Sequence, residues 1–496
     1  STFPMLFNSL DYLIFFPIVV IIYFLLPTIK LRIFALLAAS YYFYMSWNPI
    51  YIVLILASTF IDYFIGGKIE KTENAGTRTK LLGLSLLSNL GILFYFKYYN
   101  FLAENIEDLL ELVGMTVNIP EHSWLLPVGI SFYTFQTLSY TIDIYRRKQT
   151  AEPDFWKFAL YVSFFPQLVA GPIERSTNLL PQFLIKHEFE YKRVTEGLKL
   201  ILWGMFKKVV VADRVAPYVN EVFNHGHEHS GFVIWVATFF FVVQVYCDFS
   251  GYTDMAIGSA KVMGFKLMDN FKGPWFSKNM TEFYRRWHIS MSTWIRDYVY
   301  TPLGLATRYW GQYAYVFVLF VTFILFGFWH GANWTFIFFG FLQGVVLTYE
   351  AWSRKKRRRF AKKVNKTAYN LFSMILTFAF WSYSCLIFRA NNMTEVWTLT
   401  QNAFAWDANV FKPGFSDPRL GLNIFGNFGS LVELYVSFFV ILIVIIVHYI
   451  EYKDDVIEFI GRQPKVVRWT VYYLLIFSIL FWRTFNQQDE FIYFQF

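Results

Sequence analysis

The chain has 496 residues, 56% of them hydrophobic and only 16% charged, with a mean hydropathy of +0.38. Soluble domains carry roughly a quarter charged and about 45–50% apolar residues, so this composition excludes an ordinary soluble fold and reads as an all-α polytopic membrane protein. The formal charge of +9 sits mostly in short loops between apolar runs, as the positive-inside rule expects, so membrane lipids, and no nucleic acid, are the expected surroundings.

Ser1 to Pro4 precede Met5, which reads as the natural start. The apolar stretch Leu10 to Leu26 lacks a basic n-region and a small-residue cleavage site, so it reads as a span and not a signal peptide. A crossing needs about 20 apolar residues. By that test, helices are expected at 9–27, 31–46, 50–65, 81–98 and 125–144. The 66–80 loop carries Lys68, Lys71, Arg78 and Lys80 and is expected in the cytoplasm, as are Lys30, Arg32 and the Arg146-Arg147-Lys148 turn. The 99–123 loop carries Glu104, Glu107, Asp108, Glu111 and Glu121 with no Lys or Arg, which predicts the outer side.

Residues 155–181 are apolar but broken by Pro166, Gly171 and Pro172, which predicts a re-entrant or in-plane segment shielded from lipid. Spans follow at 196–212 and 232–249. Between them the tract Asn224-His225-Gly226-His227-Glu228-His229 has alternate His spacing, which does not set ligands on one helix face; it reads as a solvated loop, and no metal is expected. Residues 250–311 hold no clean span, and spans resume at 312–329, 333–349, 367–388, 428–449 and 468–484. The run Arg354-Lys355-Lys356-Arg357-Arg358-Arg359 reads as a topology-fixing cytoplasmic loop, the other reading being an anionic-headgroup or partner site. The sum is about twelve crossings, both termini outside, in one integral domain over 1–496. Cys247 and Cys385 form no metal spacing and no disulfide framework, and read as packing residues.

Polar stretches interrupt the apolar sequence. Gln136, Ser139, Tyr140 and Asp143 recur at helical spacing, as interhelical hydrogen bonding or pore lining would. Tyr246 to Asp254 contains Asp248, Ser250 and Asp254, and carboxylates at membrane depth need partners. Arg285, Arg286 and Arg296 are the expected partners. Glu282 to Tyr298 is rich in Arg and Trp and holds Trp287 and His288, while Trp329, His330 and Asn333 close the apolar run from Val316. Histidine titrates near pH 6.5 and can take a proton from a hydroxyl as it attacks a thioester. A helix-end histidine is also a common structural element, and the residues alone leave both readings open. No G-x-S-x-G elbow, Walker loop or H-E-x-x-H appears.

Several stretches together resemble the membrane-bound O-acyltransferase family, and within it the bacterial alginate O-acetyltransferase type. They are Leu126-Pro127-Val128-Gly129-Ile130-Ser131-Phe132-Tyr133, Ala170-Gly171-Pro172-Ile173, Tyr246 through Gly258, Thr281 through Ser290, and Trp329-His330-Gly331-Ala332-Asn333. The likeness covers about 5–350 and the closing Phe491-Ile492-Tyr493-Phe494, with additional C-terminal helices over 367–496. It implies a ring of about 11–12 transmembrane helices, with re-entrant or in-plane helices, around a central tunnel. It also implies that His330 matches the family's catalytic histidine and His288 the second one. Relatives usually continue Pro302-Leu303-Gly304 with Gly-Asn-Arg, where this chain has Leu305-Ala306-Thr307-Arg308.

The expected reaction moves an acetyl group from a cytoplasmic thioester, acetyl-CoA or another, toward an exported polysaccharide, directly or through a periplasmic partner protein. No tightly bound cofactor is expected. His330 would be the base, and His288 would orient the thioester carbonyl or stabilise the oxyanion. Arg285, Arg286 and Arg296 would meet donor phosphates, with Trp287, Trp329, Asn333, Asp248, Ser250 and Gln136 as further donor-side or tunnel candidates. The bacterial inner membrane is the expected location. Rival readings are D-alanyl transfer from a carrier protein toward teichoic acid, a transporter or channel, and a secretion-complex scaffold.

Overall fold

A computed structural model describes residues 5–169, 171–227, 229, 231–405, 431–482 and 491–492. Ser1 to Pro4, Ala170, Glu228, Tyr493 and Phe494 therefore lie outside the described residues, as do the ends of the expected 428–449 and 468–484 spans. Among the described residues there are helices and no strand. The chain is an all-α, multi-pass membrane protein.

The chain divides into two compact units, residues 1–201 with 252–269, and residues 202–251 with 270–496. The first begins with α1 (Leu10–Leu25), α2 (Ile29–Met45), α3 (Ile52–Lys71), α4 (Ala75–Lys97), α5 (Tyr99–Leu112) and α6 (Ile130–Tyr145). Short polar side chains start these helices: Ser9, Thr28 and Asn74 each accept a backbone N–H from the first turn of α1, α2 and α4. Arg78 is buried, and its guanidinium donates to Ile69 O at 2.7 Å and Tyr145 O at 2.7 Å, tying together the ends of α3 and α6. The predicted break over 155–181 appears as three short pieces, α7 (Phe155–Ser163), α8 (Phe165–Leu168) and α9 (Ser176–Leu179). The acidic stretch after Tyr99, expected as a loop, is instead the amphipathic α5; Leu102, Leu109 and Leu112 stand exposed along it, beside its carboxylates.

Helices α10 (Tyr191–Met205), α11 (Asp213–Asn224) and α12 (Phe232–Met263) follow, with a π-helical turn at Phe206–Ala212. The 32 residues of α12 absorb the polar stretch Tyr246 to Asp254, which apolar length alone places partly outside any span. Then come α13 (Met280–Tyr284), α14 (Ile289–Ile295), α15 (Thr301–Ala306), α16 (Gln312–His330), α17 (Trp334–Ala361), α18 (Lys366–Arg389) and α19 (Met393–Ala403). Helices α20 (Leu431–Lys453), α21 (Val456–Gly461) and α22 (Lys465–Trp482) complete the described chain. The basic run 354–359 is helical, in α17, and not a loop.

Among the described residues, seven helical segments are long and apolar enough to cross a bilayer. The other expected crossings near both ends and at 125–144 coincide with α1, α2, α6 and α22, which run 16, 17, 16 and 18 residues.

The second unit is organised on the α16–α17 hairpin. Gly327 and Gly340 let the two backbones touch: a Cβ on Gly327 would stand 2.1 Å from Phe336 O, and one on Gly340 2.2 Å from Phe323 O. Small residues at helix contacts are how membrane helices approach closely. Gly340→Ala is therefore expected to cost about 1–3 kcal/mol, read as a lower Tm of the detergent-solubilised protein. Gly67→Ala, on α3 where a Cβ meets nothing within 4 Å, should leave Tm unchanged or raise it.

Candidate active site

Helix α16 ends on His330, and Asn333 starts α17 by accepting from Thr335 N at 3.0 Å. The imidazole of His330 is 5% exposed and is ringed by aromatic edges: Phe326 at 4.8 Å, Phe388 of α18 at 5.1 Å and Trp329 at 4.8 Å between ring centroids. Asn333, a polar neighbour of this ring in sequence, is spent on the helix cap and on Asn391 O, 2.7 Å from its amide nitrogen.

His288 reaches the same aromatic cluster from a different element. It is the N-cap of α14, fully buried, with a left-handed backbone at φ 45° and ψ 55°. Such a conformation is uncommon outside glycine. Asn270 holds the turn: its carbonyl oxygen Oδ1 takes Ser290 N at 3.2 Å and Ser290 Oγ at 2.9 Å, and lies 3.1 Å from His288 Nδ1. An acceptor at that distance assigns the proton to Nδ1 and leaves Nε2 as the basic atom. Trp329 is near both histidines, 5.8 Å from the His288 ring and 4.8 Å from that of His330 between centroids. The structure thus brings both histidines and Trp329 together.

The tautomer bears on the role expected of His288. A carbonyl or oxyanion needs a donor, and the Nδ1–H of His288 is directed at Asn270 Oδ1. Burial also pushes its pKa down to about 3, so the ring does not gain a second proton near neutrality. His288 is an acceptor.

The charged candidates fall out differently. Asp248 does not pair with arginine: its partner is Lys208, at 2.7 Å, which also holds Asp213 at 2.8 Å, and Asp248 accepts from Ile492 N at 2.7 Å. Ser250 is bonded to Lys207 at 2.9 Å. Arg286 pairs with Glu282 at 3.2 Å and stacks on Tyr452, while Arg296 is exposed and pairs with its neighbour Asp297. Arg285 is exposed and lines a basic cavity. Trp287 is packing, 4.9 Å from Trp381 and stacked on Phe283. Gln136 belongs to the first unit, where its amide donates to Tyr161 O of α7 at 2.6 Å; its stripe is buried, with Ser139 donating to Gln136 O of the same helix at 2.7 Å and Tyr140 OH accepting from Glu152 N at 2.8 Å. Cys247 and Cys385 are buried. Among the described residues no group of three or more His, Cys, Asp or Glu could hold a metal ion.

Sequence reasoning misses Asn270 and the buried Lys207 and Lys208. The lysines carry a signal, since two adjacent cations inside an apolar run need partners. Asn270 carries none, because its role depends on the turn at His288.

A sequence model of the membrane-bound O-acyltransferase (MBOAT) family matches residues 40–390. The chain is similar to the probable alginate O-acetylase AlgI of Azotobacter vinelandii, 37% identical over 412 residues covering 81% of this chain and 78% of the relative. It is similar to the peptidoglycan O-acetyltransferase of Helicobacter pylori, 34% identical over 385 residues, 72% of this chain and 71% of the relative. The teichoic acid D-alanyltransferase of Bacillus subtilis is more distant, 24% identical over 279 residues, 54% of this chain and 70% of the relative.

The state of His288 has a pH signature. An unfolded histidine binds its proton near pH 6.5, whereas the native ring does so only near 3. The stability this difference contributes is complete above pH 6.5 and is lost as pH falls toward 3, by about 1.4 kcal/mol per pH unit. His288→Gln removes that slope. The difference in unfolding free energy between the parent and the variant should shrink by about 2 kcal/mol between pH 6.5 and 5, measured by denaturant titration in detergent.

Proposed function

Because the chain belongs to the membrane-bound O-acyltransferase family, we propose that this O-acyltransferase moves an acetyl group from a cytoplasmic thioester, acetyl-CoA, toward an exported polysaccharide. Delivery is direct or through a periplasmic acetyltransferase partner, from the bacterial inner membrane. Family membership sets aside the transporter and scaffold readings. The preference for acetyl rests on the relatives, which are O-acetylases at 34–37% identity. The preference for the site rests on one observation: His330 and His288, from separate helices, both lie within 6 Å of a single tryptophan ring.

In the proposed reaction the acceptor hydroxyl oxygen attacks the acyl carbon while the His330 imidazole takes its proton. The C–O bond forms, the C–S bond breaks, and the thiolate leaves to be protonated as free thiol. The aromatic cage around His330 limits water, which would otherwise hydrolyse the thioester. His288, an acceptor at Nε2, is suited to orienting a hydroxyl hydrogen and not to binding the oxyanion. Asn270 is then a positioning residue, acting through the His288 tautomer.

D-alanyl transfer is the second reading, supported by the similarity to a teichoic acid D-alanyltransferase. Vesicles holding the purified protein, given either labelled acetyl-CoA or a charged carrier protein, separate the two donors. His330→Ala should lower acyl transfer about 10²–10⁴-fold while membrane insertion and Tm stay near the parent's. Near-normal turnover by that variant removes His330 as the base. Mass spectrometry of envelope polysaccharides with and without the protein identifies the acceptor by its lost acetyl mass.

A further inference from the structure

The second unit contains a cavity of about 900 Å³ whose charge is one-sided. Arg354, Arg357 and Arg358 line it from α17. With Glu350 they recur at three- and four-residue spacing, so one helix face presents them together. Arg285 and Arg286 line it from the turn after α13, joined by Lys272 and Lys278. Seven cationic side chains thus meet two carboxylates, Glu282 and Glu350.

Both carboxylates are already committed. Glu350 accepts from Met280 N at 2.6 Å, Thr281 N at 3.0 Å and Thr281 Oγ1 at 2.8 Å, capping α13. Glu282 takes Arg286 at 3.2 Å, Lys278 N at 3.0 Å and Tyr452 OH at 3.2 Å. Two of the cations are fixed in place as well. Arg286 also donates to Lys272 O at 3.0 Å, and Arg357 donates to Ser353 Oγ at 2.9 Å and Glu350 O at 2.7 Å. The exposed Arg285, Arg354 and Arg358 have no ion pair among the described residues. Fixing topology requires basic charge near a membrane boundary; it does not require the charge to be gathered around a cavity of ligand size.

We propose that this cavity binds a ligand carrying two or more phosphate groups, with Arg285, Arg354 and Arg358 as the guanidiniums that contact them. Guanidinium forks match phosphate oxygens two at a time. Two sources share that chemistry: the nucleotide end of a coenzyme thioester, and the headgroups of anionic phospholipids. The first deepens the acyl-transfer reading and rests on it, since the segment that carries Arg285 and Arg286 ends on His288 two residues later.

Binding is measured without turnover, so the two readings fail separately. The protein is placed in phosphatidylcholine nanodiscs and titrated with adenosine 3′,5′-bisphosphate. Saturable binding that weakens with salt, and weakens at least about 10-fold in Arg354→Ala/Arg358→Ala, supports the site with a nucleotide as its source. Nucleotide that fails to bind, while phosphatidylglycerol is retained through purification by the parent and lost from the double variant, supports the site with lipid as its source. Retention of neither ligand, or binding unchanged by the double variant at parental Tm, overturns the inference. His330→Ala should leave the binding intact. Lost transfer with retained binding speaks to the reaction alone, and normal transfer without binding speaks to the cavity alone.

Discussion

The close approach of α16 and α17 sets much of the second unit. With no side chain at Gly327 or Gly340, the two helices meet backbone to backbone, and that meeting fixes where α16 ends and where its terminal imidazole stands. The same approach carries Glu350 along α17 to the start of α13, where it takes three hydrogen bonds. That cap anchors the segment running from Met280 to His288. One helical hairpin therefore holds His330 directly and helps to hold His288 through a carboxylate, while its basic face lines the cavity. Helix α18 adds the aromatic wall, with Trp381 against Trp287 and Phe388 against His330.

Desolvation governs the charges elsewhere. Lys208 and Asp248 are 2% and 3% exposed in their side chains, and an ion that deep is tolerated only with a counter-ion and further hydrogen bonds. Asp213 and the Ile492 amide supply them. In the first unit Asp62 solves the same problem without a cation, taking Ser85, Asn89 and Thr141 as donors at 2.5, 2.8 and 3.2 Å. These networks join segments far apart in sequence, which accounts for polar residues in apolar runs without any catalytic role.

Much of this is legible in the residues. Apolar length indicates the membrane class, proline and glycine mark the break over 155–181, and the ordered motifs point to the family. The resemblance pairs His330 with His288 as the family's two histidines, and in the structure both rings lie near Trp329. Partner identity is the weak point. Composition matches Asp248 to arginines because arginine is the usual ion-pair residue, yet Lys208, on a π-helical turn, is the group that packs beside it. Asn333 stands near His330 in the chain, but a residue three positions past a helix end is placed to cap the next helix. The basic run resembles a loop by composition, whereas Arg and Lys are good helix formers and simply continue α17. The acidic stretch after Tyr99 hides its helical period for a similar reason, because its charges outweigh its spaced leucines.

The backbone at His288 has a consequence for how this protein would respond to selection. A left-handed residue with a Cβ carries a penalty of about 1–2 kcal/mol that glycine does not. Glycine there would relieve that strain, but it would also empty a fully buried position beside Phe249 and Trp329 and remove the contact with Asn270, a loss of about 2–5 kcal/mol that outweighs the relief. Position 288 is thus a point where a strained backbone is held by what its own side chain packs against, and drift toward glycine is opposed on stability alone.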